Sequence, residues 1–208
     1  MLSPGMDVSI SRTFSLALLA LWLGGCATYQ PVPPGYAGAT AEIADSSSAD
    51  SGRCADFFFI DSYDGHGIEN SLSVTRRRNS GRGLAMDVEQ FSRPVPAQQA
   101  TFHLSGRTHC AAPILEVAHT IYEIEGDVAF TPRAGARYDV TGEFSPDHSA
   151  IWIEDTASHR QESGKLMMHG STAMNHAALL LVGPGMAKSS KSVETIPPPG
   201  SPQTTGHP

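Results

Sequence analysis

The residues with the most chemistry in them gather in three short stretches. The first is TRRRNSGRG, residues 75–83, which sets Arg76, Arg77, Arg78 and Arg82 close together in a chain of formal charge −7. A guanidinium is planar, always charged, and able to make paired hydrogen bonds to carboxylates and phosphates. These four side chains are therefore a candidate anion- or partner-binding patch. The plainer role for such a stretch is a solvated loop that keeps a sheet edge from pairing. The second stretch carries His103, His109 and Cys110, with His119 beyond it. Imidazole and thiolate bind metals, but the spacings C-x-x-C, H-x-x-x-H and H-E-x-x-H are all missing. His103 and His109 are expected to flank a turn at Ser105–Gly106, which separates them. They rank only as minor metal candidates, no metal or other cofactor is expected, and His119 is read as a core histidine. The third stretch, DSYDGHG at 61–67, lacks the regularly spaced oxygen ligands and distal Glu of a calcium loop. Asp61, Asp64 and Gly65 are read as turn formers.

Catalytic signatures are equally sparse. No G-x-S-x-G or S-x-x-K is present, and neither is a P-loop or a G-x-G-x-x-G following a strand. Catalytic groups assemble in space rather than in sequence, so this lowers the expectation of an enzyme without closing it. The negative formal charge argues against a general nucleic-acid binder, which is normally basic.

The N-terminal stretch FSLALLALWL, residues 14–23, is about half the roughly 20 apolar residues that a membrane-spanning helix needs. It has the length of the apolar segment of an export signal, with Arg12 and Asp7 before it and either Met1 or Met6 as a start. Gly24, Gly25 and Cys26 follow. The order Leu23-Gly24-Gly25-Cys26 resembles the lipobox of bacterial lipoproteins, over about residues 12–27. The resemblance implies diacylglyceryl modification of the Cys26 thiol, cleavage before it, and acylation of the new amino group. More than one acyl chain is needed for a stable hold, each buried methylene contributing about 0.8 kcal/mol. Ala27 after the cysteine implies, by the enterobacterial sorting rule, an outer-membrane anchor facing the periplasm.

That resemblance also implies a disulfide. Of three cysteines, one is lipidated, and Cys54 and Cys110 remain in an oxidising compartment. The alternative left open is a metal or redox role for Cys110, beside His109.

The elements that must position these groups are mostly strands. Period-two alternation marks GLAMDVEQF (Leu84, Met86 and Val88 on one face), ATFHLSG (Phe102 and Leu104) and ARYDVTGEF (Tyr138, Val140 and Phe144). The continuous run ADFFFID at 55–61 predicts a strand buried on both faces. ILEVAHTIYEIEG fits helix or strand spacing, and its Ile, Val, Thr and Tyr content favours strand. Turn chemistry at TPRAG, SPDHS and TAS divides the later strands into a meander. FTPRAGARYDVTG resembles strand–turn–strand units of the small immunoglobulin-like or transthyretin-like sandwiches of envelope lipoproteins, which implies fold alone.

The expected organisation is a signal peptide at 1–25, a lipidated flexible tether at 26–52 that includes the low-complexity ADSSSADSG, a domain at 53–182, and a disordered tail at 183–208. STAMNHAALLLV at 171–182 is a short helix or a last strand. The fold class is all-β, a small antiparallel β-sandwich. The expected function is that of a lipid-anchored cell-envelope protein, a structural or interaction module rather than an enzyme. Its partners would be the membrane through its lipid and an envelope protein or anionic envelope component, with no nucleic acid. The alternative is a periplasmic metal-binding protein built on the His/Cys cluster.

Overall fold

The computed structural model describes residues 28–49, 52–169 and 193–200. Cys26 and the segment 171–182 lie outside the described residues. The chain is all-β in class. In order it forms β1 (Thr40–Ala49), β2 (Cys54–Tyr63), β3 (His66–Gly67), α1 (Ser71–Asn79), β4 (Ser92–Pro96), β5 (Ala100–Cys110), α2 (Pro113–Ala118), β6 (Glu123–Phe130), β7 (Arg137–Phe144), β8 (His148–Asp155), β9 (Lys165–His169) and β10 (Glu194–Ile196). The strands make one curled sheet, a half-barrel, in the order β10-β9-β8-β7-β1-β2-β5-β6, with β3 paired to β2 and β4 to β1. Every pairing is antiparallel except β1 with β7, which run parallel. The sheet is therefore mixed rather than purely antiparallel.

Curling brings strands that share no hydrogen bonds into contact, β5 and β6 against β8, and β6 against β9. The main core lies in this concavity: Ile43, Phe58, Ile60, Val95, Phe102, Leu104, Ile124, Tyr138, Val140, Ile151, Ile153 and Leu166 are all buried. The alternation read from the sequence holds in β5, whose burial switches at every residue, and in β7, where Tyr138 and Val140 point inward. β2 is buried on both faces, as its unbroken apolar run requires. Phe58 and Ile60 enter the main core, while Ala55, Phe57 and Phe59 pack beneath α1 with Leu72 and Met86. Phe58 lies across two glycines, Gly106 of β5 and Gly142 of β7, where a Cβ would collide with its ring.

Several stretches differ from expectation. Residues 40–49, placed in the tether, form β1 at the centre of the sheet. Ala41 and Ile43 supply its buried face, and Ser46, Ser47 and Ser48 need only their backbone to pair with β2. Residues 194–196, placed in the disordered tail, pair with β9. The Ser105–Gly106 turn does not form, and β5 runs straight through it. The stretch 83–91 is not a strand. It crosses the outer face of β2, its backbone tied to α1 by Asn79 Nδ2 donating to Asp87 O (2.8 Å), Asp87 N to Asn79 Oδ1 (2.9 Å) and Glu89 N to Thr75 Oγ1 (3.0 Å). Finally, ILEVAHTIYEIEG splits. Pro113 opens the short helix α2, where a missing N–H costs nothing, and strand structure resumes at Glu123.

The arginine stretch, expected as a loop, is the end of α1. Asn70 caps the helix: Ser73 N donates to Asn70 Oδ1 (2.9 Å), and Asn70 N donates to Ser73 Oγ (3.2 Å). Arg76, Arg77 and Arg78 fall in the last turn, where cations suit the negative end of the helix dipole.

One buried carboxylate joins these parts. The last β1–β7 pair is Asp45 with Val140, and the first β1–β2 pair is Ser46 with Phe58. At this changeover Asp45, fully buried, accepts from Ile60 N of β2 (3.3 Å), Ser71 N at the start of α1 (2.7 Å) and Arg93 Nη2 of β4 (2.6 Å). Burial pushes its carboxyl above the ordinary 3.8, while Arg93 and the two N–H groups pull it back.

Two substitutions test this packing by chemical unfolding. Asp45→Ala leaves Arg93 charged and buried without its partner, and should cost about 3–5 kcal/mol. Gly142→Ala drives a Cβ into the Phe58 ring and the Ala150 carbonyl, and should cost about 1–3 kcal/mol through overpacking.

Candidate functional site

The end of the sheet where β2 begins and β5 finishes is closed covalently. Cys54 and Cys110 face each other in register and form a disulfide, buried against Ile121 with Leu115 beside it. Closing the intervening loop contributes about 4 kcal/mol in the chain-entropy model. The bond fixes the last residue of β5, so the chain enters α2 from a set position.

On the outer face of that same strand end stands His109. Its Nδ1 lies 2.8 Å from Glu116 Oε1 of α2, and both side chains are less than a fifth exposed. Its Nε2 accepts a long hydrogen bond of 3.4 Å from Arg76 Nε of α1. With Nε2 accepting, the ring proton sits on Nδ1 and is donated to Glu116. Burial and the Arg76 charge hold His109 below the ordinary 6.5, and Glu116 pulls it back up. Two residues earlier on the same face, Arg107 Nη1 reaches Glu123 Oε1 of β6 at 3.2 Å. Burial and the nearby Arg107 also lower the pKa of Arg76, while Glu116 pulls it back up. The result is a cluster of two guanidiniums, an oriented imidazole and two carboxylates, held by α1, α2, β5 and β6.

The structure divides the four arginines of the sequence patch. Arg77 pairs with Glu69, Arg78 with Glu89 (2.5 Å) and Arg82 with Asp87 (2.5 Å), all on the exposed surface. Arg76 turns the other way, to His109. Exposed pairs of this kind contribute little to stability, typically below about 1 kcal/mol, and exchange partners readily.

The histidine–cysteine cluster does not converge. His103 and His109 share one face of β5 but lie six residues apart, about 20 Å along a strand. His103 instead meets Asp127 (2.8 Å) and, at 3.9 Å, Glu125. Cys110 points to the opposite face and is consumed by the disulfide. Among the described residues no group of three His, Cys, Asp or Glu side chains is placed to hold a metal ion. His119, read as a core histidine, is exposed at the C-terminal end of α2. Asp64 and Gly65 do form the β2–β3 turn with positive φ, and Asp61 accepts from Asn70 Nδ2 at 3.2 Å.

Sequence reasoning missed Arg107 and Glu116. Alternation would have placed Arg107 beside His109 had β5 been read through Gly106. No local spacing announces Glu116, which reaches His109 only because α2 folds back. Comparison with protein-family models, curated proteins and solved structures finds no match.

The His109 environment is open to NMR titration. The imidazole should titrate below 6.5. Arg76→Gln should raise its pKa by removing a nearby positive charge, and Glu116→Gln should lower it. A shift of one unit either way corresponds to about 1.4 kcal/mol. A lowered histidine pKa means that the unfolded chain binds more protons as pH falls through 6.5. The His109 contribution should therefore make the fold less stable on acidification from neutral pH, and His109→Gln should flatten that slope.

Proposed function

We propose that this chain is a lipid-anchored protein of the bacterial cell envelope, held at the periplasmic face of a membrane through Cys26. Its folded part works as an interaction module. The two facing halves of the curled sheet serve as a small sandwich-like scaffold, stapled at one end by Cys54–Cys110. The observation that carries this reading is the basic end of α1, where Arg77, Arg78 and the following Arg82 stand exposed and, among the described residues, pair only with the surface carboxylates of Glu69, Glu89 and Asp87. Guanidiniums so held are pre-oriented for an acidic envelope protein or an anionic envelope component. Exchanging Glu69, Glu89 and Asp87 for a partner's oxygens costs little, since each exposed pair is weak.

Two measurements test the two halves of this reading. The intact mass of the protein from the membrane fraction should correspond to cleavage before Cys26 with acyl chains added; an unmodified chain overturns the anchor. Crosslinking in the envelope should recover a partner that is lost with Arg77, Arg78 and Arg82 all changed to Glu, and lost equally in high salt. Unchanged recovery from the triple variant overturns the basic end of α1 as the contact.

A further inference from the structure

The groups around His109 offer more donors than the chain uses. Among the described residues Arg76 makes no hydrogen bond other than the long one to His109, so its terminal nitrogens donate to none, and only the charge of Glu116 attracts the guanidinium. Arg107 gives one nitrogen to Glu123, while its Nε is buried with no partner among the described residues. Arg107 stands two residues from His109 on the same face of β5, and Arg76 reaches that same imidazole, so the two guanidinium charges oppose each other. Like charges set together around unfilled donors are stabilised by an anion between them.

We propose that Arg76, Arg107 and His109 form a binding site for a phosphate-class oxyanion, and that the site tightens when His109 takes up a proton. The charges facing the imidazole fix the direction of this linkage. α1 contributes Arg76, β5 contributes Arg107, α2 contributes Glu116 and β6 contributes Glu123. β2 places the uncharged Ala55 opposite His109, while Asp56 lies on the other face bonded to Thr108. With His109 neutral, the two guanidiniums are balanced by the two glutamates. Protonation leaves one positive charge over, and it turns Nε2 from an acceptor of the Arg76 N–H into a second donor. Arg76 then has no acceptor on the ring, and an oxyanion bridging the two donors supplies one. A phosphate-class dianion suits this arrangement better than a singly charged carboxylate, because Arg76 and protonated His109 can hold separate oxygens while Arg107 adds a further positive charge beside them. Glu123 and Glu116 already fill the carboxylate role on Arg107 and His109.

This inference deepens the reading of the α1 end as an anion-contacting surface. It rests on Arg76 rather than on Arg77, Arg78 and Arg82, so the two can fail separately.

The test follows the His109 imidazole of the full chain by NMR, in dodecylmaltoside micelles. Potassium sulfate, a dianion across the titration range, is compared with potassium chloride at equal ionic strength. Saturating sulfate should raise the His109 pKa by about one unit, equivalent to about tenfold tighter binding to the protonated site. His103, on the same strand face, should not move. Arg76→Gln, an exposed change that leaves the core untouched, should abolish the rise, and Arg76→Lys should restore part of it. Equal movement of His103 and His109, no movement of His109, or a rise that persists in Arg76→Gln each overturns the site. Glycerol phosphate in solution and phosphatidate doped into the micelles then separate the source. A rise with the first alone supports the site for a soluble phosphomonoester, and a rise with the second supports it for a lipid headgroup. No rise with either overturns the phosphate assignment.

Discussion

The carboxylate of Asp45 is the constraint on which the rest of the architecture depends. β1 belongs to two halves of the sheet in turn, pairing with β7 and β4 up to residue 45 and with β2 from residue 46. Such a changeover leaves backbone donors without a strand partner, and an unpaired buried N–H is costly. Asp45 accepts the Ile60 N–H just past the last β1–β2 pair. With its other oxygen it takes the first N–H of α1 and the guanidinium of Arg93. A buried ion pair brings little net stability, because desolvation cancels most of its attraction. Its value here is positional. It sets where β1 crosses over, where α1 starts and how β4 lies on β1.

The placement of α1 decides what lies at the surface. Leu72 and Thr75 bury one side of the helix over the outer face of β2, and Asn79 and Thr75 bind the backbone that follows. The remaining sides carry the arginines outward in different directions. Successive residues on a helix are turned by about 100°, so four arginines crowded in sequence need not act together. Three find surface carboxylates, and Arg76 alone reaches the end of β5. There the Cys54–Cys110 bond and the proline-led α2 bring Glu116 back against His109. The cluster exists because the disulfide, α1 and α2 converge on one strand end.

The strands of the main core were legible wherever one face is apolar and the other polar. β5 and β7 show this, and the both-sided burial of β2 was equally plain in its run of Phe and Ile. β1 and β10 were not. In β1 only Ala41 and Ile43 report burial, while its serine half is held by backbone bonds that leave no mark on side-chain type. The helix α1 was hidden because Leu72 and Val74 are its only apolar side chains and its buried face is only Ser71, Leu72 and Thr75. Of the cluster, Arg76 and His109 stood out by residue type, but their meeting did not. Arg107 was masked by a glycine that looked like a turn and is instead the seat of the Phe58 ring.

By itself, then, the sequence determined the all-β class, the main hydrophobic face of each alternating strand, the turn at Asp64–Gly65 and which side chains carried chemical potential. These follow from local periodicity and backbone preference, which each short segment expresses independently. Only the tertiary structure decided that β1 is a central strand running parallel to β7, that His103 and His109 stand apart, and that Arg76, Arg107, His109 and Glu116 come together. Those outcomes depend on contacts between residues far apart in the chain. Such contacts are fixed by satisfying buried polar groups and filling the core as a whole, and no local pattern encodes them.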